Sequence, residues 1–375
     1  MNYSIKQFLK LLGNTVLFWT VAFCIFIVIR YYALGDEEGL DNSAVPIWDW
    51  LRIGFIFGSI IGFFYAIVDF VFDNFLSKRL ALWFVLLQKS IIYMVVLIWS
   101  TSFVFGLLKK ELDLNYIHQG DWWRTSKIFW VIVVYFILAS LIFSFIKIAN
   151  ENFGSGVFFK LLLGRYQKPR EEQQIFMFLD LKSSTAIAEQ LGHFKYSEFI
   201  QDSFYDLNRV LLKYDANVYQ YVGDEAVLHW PFKSGIRSLN CIRVYFAFIR
   251  RLLKRKKYYL RQYGLLPEFK AGLHGGKLIA TEVGSVKKEI AFHGDVINTT
   301  ARIQEQCNFY DQSLLISEDL LAFLKLKSRF IATSIGNISL KGKEEKVVLY
   351  SITPAKVKLS RGSKKIISSK SSGSI

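Results

Sequence analysis

The chain has 375 residues, 52% of them hydrophobic and 17% aromatic, and carries a formal net charge of +16. This composition excludes a disordered chain, a collagen-like repeat and a small disulfide scaffold, and it is more apolar than a typical soluble domain. Three cysteines, Cys24, Cys241 and Cys307, are too few and too scattered for a disulfide framework or a zinc site, and read as small buried residues.

The hydrophobicity is concentrated in the first 150 residues. Four apolar runs stand there: Leu11–Ile29, Ile53–Val68 (continuing to Phe72 past Asp69), Ser90–Leu108 and Ile128–Ile146. A membrane helix needs about 20 apolar residues at 1.5 Å rise. The runs therefore predict an α-helical membrane domain of four transmembrane helices over residues 1–149. Lys6 and Lys10 precede the first run, and Lys78 and Arg79 sit in the short second link. The loop after the first run is acidic, with Asp36, Glu37, Glu38, Asp41 and Asp49. Positive charge marks the cytoplasmic side, so both termini are expected in the cytoplasm of an integral inner- or plasma-membrane protein. Gly54, Gly58, Gly62 and Ala66 recur every four residues, a spacing for close helix packing inside the bundle or for a dimer contact. Asp69 and Lys89 could pair inside the bundle; the reading preferred from sequence is that both snorkel to the interface.

Residues 150–174 read as a coupling linker ending near Pro169, residues 175–354 as a mixed α/β domain, and residues 355–375 as a disordered basic tail. Within the domain the pattern predicts a strand at 175–179, helices at 183–191 and 196–214, and a hairpin of strands 217–222 and 226–230 around Gly223-Asp224. A long basic helix at 236–263 follows. Strands are predicted at 269–273, 278–282, 289–292 and 314–316, with a helix at 296–308 and short strands finishing near Tyr350. The basic run Arg250, Arg251, Lys254, Arg255, Lys256, Lys257 and Arg261 reads as a solvated helix face or one drawn to anionic lipid. No nucleic-acid partner is expected, because no stacking motif accompanies it.

Three segments carry chemistry. At Asp180-Leu181-Lys182-Ser183-Ser184-Thr185 an apolar strand ends in a carboxylate and a Ser/Thr-rich helix start follows. Free amides at such a start can bind phosphate, and the carboxylate can hold a divalent ion; alternatively it is an ordinary turn with a capping serine. At Tyr221-Val222-Gly223-Asp224 a carboxylate stands at a hairpin tip, where it could share two metal ions with Asp180 or be turn chemistry only. At Gly294-Asp295-Val296-Ile297-Asn298-Thr299-Thr300-Ala301-Arg302, Asp295 reads as a helix N-cap. Asn298 and Arg302, four apart, share one helix face, which is suited to a developing phosphoryl charge or simply solvated.

Together with Gly272-Leu273-His274-Gly275-Gly276 and Leu340-Lys341-Gly342-Lys343, these segments resemble the catalytic domain of the class III nucleotidyl cyclases, the adenylate and guanylate cyclase family. The resemblance implies an α+β catalytic domain with a ferredoxin-like βαββαβ core. It implies two metal ions, Mg²⁺ or Mn²⁺, held by Asp180, Asp224 and the Leu181 carbonyl. It gives Asn298 to the ribose, Arg302 to the transition state, and Lys341 or Lys343 to the terminal phosphates, with Ser183, Ser184 and Thr185 at the nucleotide. One such domain carrying both halves of the site implies a head-to-tail homodimer. The base-reading positions fall on Gln220 and Ala291, which match neither the adenylate nor the guanylate pair. ATP is favoured on the family's base rate, with GTP, a pyrimidine nucleotide or a catalytically inactive binding module as alternatives. A channel or transporter role for the membrane half is disfavoured, since its spans lack paired charges and broken helices.

Overall fold

Glycine spacing decides how the first two helices meet. In α1 (Tyr3–Ala33) and α2 (Ile47–Val71) the apolar runs are long enough to cross a membrane, over Leu11–Tyr32 and Ile47–Val71. A Cβ on Gly58 would stand 2.4 Å from the Thr20 Cα, and one on Gly62 2.6 Å from the Val16 Cα. The small-residue face of α2 is thus filled by α1 of the same chain, which is the bundle-packing reading. Trp19, Phe23, Phe57, Ile61, Tyr65 and Phe136 form the core around it.

The computed structural model describes residues 3–33, 46–71, 84, 87–89, 91–96, 98–99, 127–153, 157–285, 288–339 and 346–355. Among its described residues the first unit has two further apolar helices, α3 (Leu87–Val96) and α4 (Lys127–Phe153); the apolar stretch of α4, Val133–Ala149, is shorter than a span. Outside the described residues lie most of the third predicted span, the acidic loop with Asp36, Glu37, Glu38 and Asp41, the Lys78-Arg79 link, Lys341, Lys343 and the tail from 356. Asp69 and Lys89 do not snorkel. Asp69 is fully buried and its Oδ1 is 2.9 Å from the Lys89 Nζ, 3.2 Å from the Lys147 Nζ and 2.5 Å from the Tyr93 hydroxyl. A buried carboxylate is held by its partners rather than by water, so of the two sequence readings the pairing is the one the structure bears out, with Lys147 as a second lysine that the sequence reading did not name.

The chain divides at residue 158 into this unit and a second one, 159–375. A short helix α5 (Val157–Leu162) leads to a sheet of eight strands in the order β2-β3-β1-β4-β6-β8-β7, with β5 added on β4. The strands are β1 (Arg170–Leu181), β2 (Asn217–Val222), β3 (Glu225–Pro231), β4 (Phe269–Val283), β5 (Glu289–His293), β6 (Leu314–Ser317), β7 (Phe330–Ile338) and β8 (Val347–Pro354). The four central strands run β4-β1-β3-β2, all antiparallel, with helices crossing between β1 and β2 and between β3 and β4. That is the expected ferredoxin-like βαββαβ core.

From Ile175 to Leu179 β1 is apolar without alternation because both its faces are covered there. Ile175, Met177, Leu179 and Leu181 pack under α6 (Ser184–Leu211) and, beyond the short α7 (Phe232–Ile236), α8 (Asn240–Lys254). Phe176 and Phe178 pack on the other face with Leu278, Ala280 and Val296 of α10 (Asp295–Phe309). Several boundaries differ from the sequence reading. β1 begins at Arg170, five residues before the predicted strand. The two helices predicted at 183–191 and 196–214 are one element kinked at Gly192, where φ is +71°. The predicted basic helix 236–263 is broken at Arg255 between α8 and α9 (Lys256–Tyr263). The strands predicted at 269–273 and 278–282 are one strand, β4. Gly275 sits inside it because a Cβ there would meet the Ile175 Cγ1 at 3.0 Å, so the glycine marks a close approach and not a break.

Candidate active site

Asp180 is the penultimate residue of β1, with Glu225 of β3 directly opposite on one side and Lys270 of β4 on the other. Asp224 sits in the β2–β3 turn beside Gly223, whose φ of +58° glycine adopts without strain. The two predicted carboxylates therefore converge at one end of the central strands. Burial pushes the Asp180 carboxyl above the ordinary carboxylate range, and Asp224 adds to this against the pull of Lys270. Burial, with Asp180 and Asp224 beside it, pushes Glu225 up to about 7. Negative charge is concentrated here beyond what the protein neutralises.

Asp180 is partly satisfied. Its Oδ2 accepts from the Lys270 ammonium at 3.0 Å and from the Gln304 amide at 2.9 Å. Gly272 makes the second contact possible: a Cβ there would lie 2.4 Å from the Gln304 nitrogen, so only glycine lets α10 settle onto β4 at that point. Asp224 is different, because its Oδ2 is buried and has no hydrogen-bond partner among the described residues. Among the described residues no three His, Cys, Asp or Glu side chains form a closed metal cage. A pair of converging carboxylates, one with an orphaned oxygen, nevertheless suits hard divalent cations that take the rest of their ligands from water and phosphate. The Leu181 side chain is buried in the core.

Ser183 takes a left-handed conformation at φ +59° and makes no side-chain cap, contrary to the capping alternative. Ser184 and Thr185 open α6, whose first amides have no partner within the helix. Asp295 likewise does not cap α10. Gly294 occupies the cap at φ +148°, a conformation suited to glycine, and the Asp295 carboxylate accepts from the Thr299 hydroxyl at 2.9 Å. Gln220 is exposed on β2 just after a bulge, and Ala291 lies half-buried on β5 opposite Thr281.

Asn298 and Arg302 stand on a shared face of α10; Asn298 is exposed and Arg302 reaches Glu305 at 2.7 Å. Arg302 is roughly 200° around the helix from Gln304, the residue that faces Asp180. Within one chain the structure therefore does not bring Asn298 and Arg302 to the aspartates. His274 of the glycine-rich strand is buried and bonded to the Ser317 Oγ at 2.7 Å, which joins β4 to β6. Sequence reasoning missed Lys270, Gln304 and Glu225. Lys270 could have been found two residues before Gly272 on the strand paired with β1. Gln304 lies two beyond Arg302, and no spacing rule points to it.

The adenylate and guanylate cyclase catalytic domain matches residues 166–354, half of the chain. The chain belongs to this class III cyclase family, and its mixed α+β sheet is the family's catalytic domain. It is 34% identical over 222 residues to adenylate cyclase 2 of Rhizobium meliloti (strain 1021), an alignment covering 59% of this chain and 61% of that one. It is 26% identical over 200 residues to the receptor-type guanylate cyclase Gyc76C of Drosophila melanogaster, covering 52% of this chain and 13% of that one. The chain thus spans about three fifths of the Rhizobium relative and a small part of the Drosophila one. A solved structure of a bacterial light-regulated adenylyl cyclase shares the fold, with a TM-score of 0.50 at 17% identity over 62% of this chain and 66% of that one.

Proposed function

We propose that the protein is a membrane-anchored nucleotidyl cyclase that converts ATP into 3′,5′-cyclic AMP and pyrophosphate at a site shared by two copies of the chain. The observation that carries this reading is the division of the site. Asp180 and Asp224 converge, with the Asp224 Oδ2 buried and unpartnered among the described residues, while Asn298 and Arg302 of the same chain face elsewhere. A head-to-tail homodimer gives each pair of aspartates the Asn298 and Arg302 of the other copy. The relative named an adenylate cyclase supports ATP.

Asp180, Asp224 and the Leu181 carbonyl would hold two Mg²⁺ or Mn²⁺ ions. When bound, such ions lower the pKa of the ribose 3′-hydroxyl and stabilise charge on the phosphoryl group. The open first turn of α6, with Ser183, Ser184 and Thr185, receives phosphate oxygens. Asn298 fixes the ribose. The 3′-oxygen loses its proton and bonds to the α-phosphorus, and the bond from that phosphorus to the bridging oxygen breaks, releasing pyrophosphate. Arg302 leaves Glu305 to take up the charge that develops, and Lys341 or Lys343 serves the terminal phosphates. The Gln220 amide can face adenine as donor and acceptor, while Ala291 offers no side-chain hydrogen bond. Residues 1–149 form the membrane domain with four spans and both termini cytoplasmic. Support for that reading is the length and apolarity of Leu11–Tyr32 and Ile47–Val71.

The test is a product assay on the full-length protein in detergent, with ATP, GTP, CTP and UTP offered separately with Mn²⁺ and products identified by mass. Cyclic AMP from ATP is expected. A different cyclic nucleotide overturns the substrate, and no product from a folded dimer overturns the enzyme. The shared site has its own test. A one-to-one mixture of Asp180→Asn and Arg302→Ala chains should recover about a quarter of wild-type activity, since half the dimers then carry one intact site of two.

A further inference from the structure

Lys270 is a buried cation at the centre of the carboxylate cluster, and the reaction proposed above does not use it. It is 9% exposed, sits directly opposite Asp180 in the sheet and holds the Asp180 Oδ2 at 3.0 Å. The cluster of Asp180, Asp224 and Glu225 meets no other described cation at hydrogen-bond range. Lys270 also lines a cavity of ≈ 360 Å³ that opens beside the site, walled by Tyr245, Leu252, Glu268, Asp311 and Gln312. Two of those residues are carboxylates, and Asp311 already pairs with Lys182 at 3.3 Å. The cavity wall thus carries two carboxylates, Glu268 and Asp311, besides those of the site.

We infer that Lys270 is a resident counter-ion that occupies the cation position at Asp180 until a divalent ion displaces it towards the cavity. Its competition sets the metal concentration at which the site fills. This rests on the reading of Asp180 as a metal ligand. A single carboxylate carries one charge, and the ammonium already neutralises it. A second cation on the same group would stand within a few ångström of the first, where like charges repel strongly. Lysine suits the task better than arginine, because its compact, flexible point charge can leave one carboxylate for another. Gln304, which is neutral, keeps the Asp180 carboxylate oriented while the charged partner changes. Lys270 is therefore a positioning residue and does not touch the substrate.

The test measures metal binding apart from turnover. Mn²⁺ is titrated into the full-length protein in detergent, and bound metal is read from the loss of the free-ion electron paramagnetic resonance signal. Lys270→Gln should bind Mn²⁺ roughly tenfold more tightly than wild type, the worth of one charge-assisted hydrogen bond. Lys270→Arg should not gain affinity. Unchanged or weaker binding by Lys270→Gln overturns the inference, provided Asp180→Asn loses binding. If Asp180→Asn keeps wild-type binding, the metal assignment itself falls. A second measurement needs no variant: reductive methylation of Lys270 in the wild-type protein, followed by peptide mass spectrometry. Labelling should be slow without metal and several-fold faster with saturating Mg²⁺, while equal rates overturn the displacement.

Discussion

Two clusters of buried acid sit in the same domain and are treated in opposite ways. Asp206 of α6 is fully buried, and both its oxygens are taken. The Arg251 Nε donates to one at 2.7 Å; the Arg255 Nη1 and the Tyr259 hydroxyl donate to the other at 2.7 and 2.8 Å. Nearby, the Tyr258 and Tyr263 hydroxyls close on Asp202 at 2.6 and 2.8 Å. At the candidate site, by contrast, Asp180 shares one lysine and one amide, and the Asp224 Oδ2 has no partner among the described residues. A buried carboxylate with a complete set of donors fixes helices to one another. One left short of donors stores repulsion, and that repulsion is relieved when cations arrive. The contrast also corrects the reading of the basic run 250–261. Arg251 and Arg255 are structural donors, while Arg250, Lys254, Lys256, Lys257 and Arg261 remain on the solvated face.

The contrast breaks most visibly under neutralisation. Asp224→Asn should take cyclase activity below detection while leaving the thermal midpoint unchanged or higher, because it removes a repelling charge. A fall of several degrees in the midpoint would mean that Asp224 is a scaffold residue after all. Asp206→Ala should do the reverse. Two arginines lose their partner, and stability should drop by about 3 kcal/mol in denaturant titration, at the lower end for a broken buried pair because the guanidinium groups are part-exposed. Activity per folded molecule should change little. Gly272→Ala joins the two regions of behaviour. The added methyl pushes α10 off β4 at Gln304, which should cost ~1–3 kcal/mol and lower turnover as well.

Why some of this was legible in the sequence and some was not follows from the kind of signal each residue carries. Asp180, Asp224, Asn298 and Arg302 lie in short contiguous segments whose neighbours (an apolar strand, a Gly-Asp turn, a helix start) are local. Lys270 and Gln304 matter only because β4 pairs with β1 and α10 lies on β4, and neither pairing is written in any window of ten residues. The glycines misled for a related reason. The gap between the strands predicted at 269–273 and 278–282 spans Gly275, where the crowding from Ile175 and Phe232 that demands glycine comes from distant parts of the chain. Gly192, by contrast, was read as a gap between two helices, and it is one in effect, since the kink needs only local backbone geometry.

The smallest effect expected concerns His229, packed among Phe176, Tyr219 and Phe292 on the sheet face that bears the aspartates. Burial, with Lys160 nearby, lowers its pKa to about 4. In the unfolded chain it would titrate near 6.5, so the unfolded state binds the proton first as the solution is acidified. Its contribution to stability is complete above pH 6.5 and is lost as the pH falls towards 4. Unfolding midpoints measured across that window should decline in wild type, and His229→Phe should flatten part of the decline.

The cluster at Asp69 has a consequence for how the chain is made. Its three charged members come from α2, α3 and α4, which leave the ribosome tens of residues apart. Each one buried without the others carries the penalty of an unpaired charge, and the penalty is lifted only when the acid and its lysines are together. Helices bearing such groups must wait for one another during biosynthesis. A chain truncated after α2 would leave Asp69 stranded, and it should be recognised as incomplete and degraded before a cyclase domain is ever attached to it.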